Sequence, residues 1–177
     1  MVIKEFLYLF YVPDITSDEI NEVVEAAEKT NVVEVELAGA LDLFEHCFHL
    51  SRQQFEAGCL LREFKRHTKD FKGKKIWIVS QDLFAPGLNF VFGQAELGGE
   101  VAIVSTSRLR TGAPSETMYF QRLRTEVVHE LLHLLGLDHC PNPYCVMYFS
   151  NSLSDTDRKG EETCIVCAER LRLKYEK

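Results

Sequence analysis

Three histidines and four cysteines fall at metal-ligand spacings between residues 129 and 167, and they constrain this chain more than any other feature. The stretch runs HELLHLLGLDHC, then PNPYCVM, and later CIVC. Any fold must bring these side chains together in two compact groups, so the crowding predicts two metal sites side by side.

The histidines read as an open, reactive site. Residues four apart on a helix lie one turn apart on the same face, so His129 and His133 can direct imidazole nitrogens at one ion. Glu130 is rotated from that direction by about a quarter turn, within reach of a water but not of the ion. His139 can supply a third ligand, because Gly136 suits the left-handed residue that ends a helix and turns the chain back. Three protein ligands and an open position are the pattern of a catalytic zinc, which lowers the pKa of its water to about 7. Glu130 would take the water's proton and pass it to the leaving amine.

Cys140, Cys145, Cys164 and Cys167 form two pairs, each spaced for a short turn to present two sulfurs to a tetrahedral ion. All four positions are then filled, which makes this zinc structural; two disulfides are the competing reading. His139 and Cys140 are neighbours that must serve different ions, and extended backbone allows it by pointing successive side chains to opposite faces. Cys47 and Cys59 have no such pattern and are expected to be buried free thiols.

A chain of 177 residues, 46% of them hydrophobic, is expected to form one domain over residues 1–177, with an N-terminal part to about residue 136 and a smaller part from about 137. Along it, residues 2–12 read as a strand ended by Pro13-Asp14. Thr16 to Glu19 is a capping box, and Val33, Val35 and Leu37 alternate as a second strand. A helix expected to start near Ser51 and a strand over Lys75–Ser80 complete a β-α-β-α-β order, which implies parallel pairing. Asn89–Ala95 and Glu100–Ser105 read as a hairpin, Ser115–Leu135 as the helix that carries the histidines, and a short helix is expected after Cys167.

The 27 acidic against 20 basic residues give no general attraction to nucleic acid or anionic membrane. The basic run from Lys65 to Lys75 reads as a solvated helix end, and Glu45–His49 shows no regular ligand geometry. No stretch reads as a secretory signal or approaches the roughly 20 apolar residues of a membrane span. The expectation is a cytoplasmic protein acting on peptides or proteins, its oligomeric state open with the monomer as the default.

HExxHxxGxxH followed by Met147 resembles the metzincin metallopeptidases, and the added cysteines resemble one branch, the archaemetzincins. DLFAPGLNFVFGQAE and EVAIVSTSRLR are similar to the family's segment before the active-site helix. Sixteen residues separate Met147 from Cys164, one fewer than the family spacing. The resemblance implies an α+β, metzincin-like fold: a twisted mixed sheet with an antiparallel edge strand, a backing helix, the active-site helix and a small cysteine-zinc subdomain. It implies two Zn2+ per chain, Met147 beneath the catalytic one, and hydrolysis of peptide bonds. It also implies an edge strand that pairs with substrate, here Phe90, Val91, Phe92, Gly93, Gln94 and Ala95. A peptide-binding scaffold that keeps the ligands without cleaving is the alternative, and a nucleic-acid-binding zinc protein a more distant one.

Overall fold

The computed structural model describes residues 4–176. The chain runs through β1 (Glu5–Tyr11), α1 (Ser17–Lys29), β2 (Val33–Ala40), β3 (Phe48–His49), β4 (Gln54–Glu56), α2 (Ala57–His67), β5 (Lys74–Val79), β6 (Leu83–Phe84), β7 (Gly93–Ala95), β8 (Val101–Ser105), α3 (Ser107–Arg110), α4 (Glu116–Leu134), α5 (Leu153–Lys159) and α6 (Ile165–Tyr175). Residues 2 and 3 of the expected first strand lie outside the described residues.

Among the described residues, five strands form one sheet in the order β2-β1-β5-β8-β7, parallel except for the edge strand β7, which runs antiparallel to β8. The parallel part follows from the crossovers: α1 carries the chain from β1 to β2, and α2 carries it back across β1 to β5. Right-handed crossovers in opposite directions put α1 and α2 on opposite faces. The central strands are closed in on both sides, so β8 is buried at every residue, and β5 from Lys75 onward.

Local sequence explains the clearest elements. Thr16 accepts a hydrogen bond from the Glu19 N–H at 3.2 Å while the Glu19 carboxylate accepts one from the Thr16 N–H at 2.8 Å, so α1 opens on a complete capping box. Val23, Ala26 and Ala27 turn one face of α1 inward, where it packs on α4. Ser115 starts α4 by accepting from the Met118 N–H.

Two expectations need correcting. The helix expected near Ser51 begins at Ala57, because Phe48 and His49 pair with Phe55 and Gln54 in a small hairpin whose turn holds Gln53 at a φ of +54°. Its inward residues, Ala57, Leu60, Leu61 and Phe64, are those the pattern predicts. Cys47 and Cys59 are not free thiols: the fold sets the residue ending a 3-10 turn against the first turn of α2, and the sulfurs are joined in a disulfide. Twelve residues of separation along the chain concealed that proximity.

Candidate metal centres and peptide cleft

The histidine centre is built on the last turns of α4. His129 and His133 share a face, and each gives its Nδ1–H to a backbone carbonyl: His129 to Val146 O and His133 to Leu137 O, both at 2.7 Å. A carbonyl oxygen only accepts, so both rings carry a proton on Nδ1, and in the neutral form each presents a bare Nε2. Those two Nε2 atoms lie 3.1 Å apart. Facing lone pairs repel, whereas two nitrogens about 2.0–2.1 Å from one tetrahedral ion stand roughly 3.3 Å apart. The arrangement therefore suits a cation.

Gly136 brings in the third ring. At a φ of +96° it ends α4, with the Gly136 N–H bonded to His133 O and the Leu137 N–H to Leu132 O, a Schellman turn. A side chain there would also strike Lys174 Nζ, 2.7 Å from the position a Cβ would occupy. The chain doubles back, and His139 arrives with its ring 4.7 Å from that of His133 and 5.1 Å from Phe149. One nitrogen from each of the three histidines lies within 4.8 Å of the others.

Burial sets the protonation. It holds His129 well below the usual imidazole range, helped by Lys159 and His133, and brings His133 down to about 4; His139 is lowered for the same first reason. All three thus favour the neutral form that binds metal. Glu130, almost fully buried, is pushed well above the usual carboxylate range by desolvation and by Glu126 one turn earlier.

Glu130 can sit there because residue 93 is glycine. A Cβ on Gly93 would lie 2.9 Å from the Glu130 carboxylate and 2.6 Å from Ile103 O. Gly93 belongs to β7, paired through Gly93↔Val104, Gln94↔Ile103 and Ala95↔Ala102, with its other edge unpaired among the described residues. A cavity of about 420 Å³ lies between Phe90–Ala95 on one side and His129, Glu130, His133 and His139 on the other. Of the expected edge segment, only residues 93–95 are strand. Val91 bridges instead to Leu83, so Phe90 to Phe92 enter the cleft as irregular backbone.

The four remaining thiols form a second cluster, with all sulfurs within 4.8 Å of one another. Cys145 and Cys167 are buried, Cys140 and Cys164 partly so. Cys164 caps the N-terminus of α6, where its sulfur is drawn down to about 7, first by a backbone hydrogen bond at Cys167 and further by neighbouring thiols; burial pushes Cys145 and Cys167 up. Between the two clusters, Cys140 N–H binds Met147 O at 2.9 Å, and Met147, fully buried, sits in a tight turn closed by Tyr148 N–H to Cys145 O. His139 and Cys140 do diverge, one to each cluster.

The sequence profile of peptidase family M54 matches residues 19–173. The chain belongs to this family, the archaemetzincins. Relatives agree along nearly the whole length. The archaemetzincin of Archaeoglobus fulgidus is 41% identical over 160 residues, 89% of this chain and 94% of the relative. The crystal structure of the archaemetzincin of Methanopyrus kandleri superposes with a TM-score of 0.84 at 35% identity, covering 97% of this chain and 95% of that one. A zinc-dependent peptidase from Methanocorpusculum labreanum gives a TM-score of 0.82 at 28% identity, over 93% and 99%. An archaemetzincin is a metallopeptidase, which disfavours the non-cleaving scaffold, and the expected α+β fold, a mixed sheet with an antiparallel edge strand, is the one observed. Among the described residues no helix is long and apolar enough to cross a membrane.

Sequence reasoning passed over three contributors to the surroundings of this archaemetzincin's histidine centre: α5, the Glu126–Lys159 pair that it forms with α4, and the closeness of Gly93 to Glu130. Ser152-x-x-Asp155 is a capping-box pattern that marks the start of α5, and Ser152 does accept from the Asp155 N–H. Nothing local signals the other two.

Proposed function

We propose that this peptidase works with zinc held by His129, His133 and His139, with Glu130 as general base and then general acid. Zinc at those nitrogens would polarise the scissile carbonyl and make water acidic enough to give up a proton near neutral pH. The facing, proton-free Nε2 atoms of His129 and His133 carry the reading.

The chain's own groups do the rest. Val146 O and Leu137 O hold two imidazoles in orientation. Glu130, bordering the cleft and sheltered from bulk solvent, accepts a proton from the attacking water and returns it to the leaving amine; burial and Glu126 raise its pKa, which favours holding that proton until it is passed on. The free edge of β7 offers backbone groups to an extended peptide, with Phe90–Ala95 as the binding segment. Met147 and Gly136 support the site from beneath and at the helix end.

Cys140, Cys145, Cys164 and Cys167 are assigned to a second, structural zinc. Four sulfurs within reach of one point, two of them buried, fit a closed tetrahedral thiolate site. We also take the protein to be a cytoplasmic monomer of one domain, acting on peptides or proteins and not on nucleic acid or membranes. The four thiols of the metal-type cluster favour a reducing compartment, the Cys47–Cys59 disulfide counts against one, and the net charge of -7 argues against polyanionic partners.

Glu130→Ala tests the assignment. The variant should keep two zinc ions per chain and lose hydrolysis of a peptide library by about 10²–10⁴-fold. Equal turnover by the variant would remove Glu130 from the mechanism, and fewer than two ions in the unsubstituted protein would end the two-site reading.

A further inference from the structure

Lys159, at the end of α5, is buried to 0% side-chain exposure directly behind His129. Its ammonium lies 3.2 Å from Glu126 Oε1, 3.1 Å from Tyr148 O and 3.3 Å from His129 Nδ1. Because that Nδ1 already donates to Val146 O, it cannot accept from the ammonium. Lys159 therefore gives its hydrogens to Glu126 and Tyr148 O and presses against the imidazole edge without bonding to it.

The partners are telling. Glu126 belongs to the same helix as His129 and also accepts from Thr156 Oγ1 at 2.8 Å. Tyr148 lies two residues beyond Val146, whose carbonyl orients His129. The lysine thus joins the two pieces of backbone that define the direction of His129, the helix and the Met147 turn. A second link between α4 and α5 provides a contrast: Arg122 binds Asp157 through two hydrogen bonds, at 2.7 and 2.9 Å, and gives its others to Leu109 O and Thr111 O, away from the histidines.

We propose that Lys159, with Glu126 as its counter-ion, is a positioning residue for the histidine centre. It clamps the 146–148 turn to α4 and so fixes where His129 Nε2 points. This rests on the histidine ligand set above.

Lys159→Met alone would strand the buried Glu126 carboxylate and can unfold the chain. The decisive variant is Glu126→Gln with Lys159→Met, which removes both charges; Arg122→Met with Asp157→Leu is its control. Each full-length chain is loaded with Co2+ and followed by its visible d–d absorption, by competition with a chelator, by thermal midpoint, and by kcat and KM. Loss of the Glu126–Lys159 pair should weaken metal at the histidines by about 10–100-fold, alter the histidine-type cobalt spectrum and lower kcat more than KM. The control should lose thermal stability with the spectrum unchanged.

An unsubstituted affinity and spectrum in the Glu126→Gln/Lys159→Met chain would overturn the proposal, as would an equal loss in the control. Lys159→Arg covers the case in which the double variant does not fold. It keeps the charge pair, displaces the donor from Tyr148 O and should show a milder form of the same defect; normal metal binding in it would count against positioning. If the unsubstituted chain gave no histidine-type cobalt spectrum, the ligand assignment itself would fail, and this proposal with it.

Discussion

The two clusters sit on either side of one peptide unit, His139-Cys140, yet they are built on opposite principles. The histidines ride largely on a rigid helix and keep one side open to a cavity; the cysteines come from loops and a helix start and close upon each other. In the histidine centre, bonds to Val146 O and Leu137 O aim two ligands before any ion arrives. In the cysteine cluster the sulfurs meet one another, as in the 3.7 Å approach of Cys140 and Cys164, and also accept backbone hydrogen bonds, as Cys145 does from the Cys164 N–H at 3.3 Å. With the two proposed zincs, a preorganised frame would serve the ion that must remain accessible, whereas the closed cysteine set would enclose its ion on all sides.

The largest expected effect comes from removing a thiolate. Cys167→Ser should cost several kcal/mol of the roughly 10–16 kcal/mol that a closed thiolate site can contribute, read as a fall in thermal midpoint. Through Cys140 N–H and Met147 O it should also loosen His139 and weaken the histidine site. Full metal and full activity in this variant would show two neighbours without coupling. Next is the order of metal loss: graded chelation should abolish peptidase activity while about one zinc per chain remains, because only the histidine ion has an open face. Simultaneous loss of both ions would erase the contrast.

Gly93→Ala sharpens it from the cleft side. The new methyl meets Glu130 and Ile103 O, an overpacking that should cost about 1–3 kcal/mol and lower kcat, with both ions retained. An active, unperturbed variant would mean that the strand yields at no cost.

The smallest effect is on pH dependence. In the metal-free protein His133 is held at about 4, and His129 and His139 are also lowered, while an unfolded histidine titrates near 6.5. At these three histidines the unfolded chain thus binds more protons across this interval, opposed by the single carboxyl of Glu130, which is raised in the folded state. Stability should be intact above about pH 6.5 and fall as the pH drops toward about 4, measured by urea midpoints after chelation. His133→Gln should flatten the slope; an unchanged slope would assign the acid sensitivity elsewhere.

What the sequence disclosed follows from how local each signal is. The ligand spacings, the Thr16–Glu19 box and the alternation of Val33, Val35 and Leu37 act over a few residues, and the fold of the parallel half follows from the order of such elements. The Phe48–Phe55 hairpin delayed α2 because a cross-strand pair outcompeted the helical pattern around Ser51. Glu126 and Lys159 lie in different elements with no shared motif, as do Gly93 and Glu130. Cys47 and Cys59 become partners only when the turn before β3 meets α2. These relations exist only between elements, where sequence periodicity is silent.

The far end of the chain closes the argument about His139. Lys174 Nζ donates to Leu135 O at 2.5 Å, and Tyr175 Oη reaches both that carbonyl and Glu5 of the first strand. The carbonyl of Leu135, which caps the active-site helix, therefore waits for side chains 39 and 40 residues downstream. During synthesis the first two histidines leave the ribosome well before the helix that finishes their surroundings. The site is thus completed only once α6 has been made, and a chain interrupted before α6 would carry these histidines without the brace at the end of their helix.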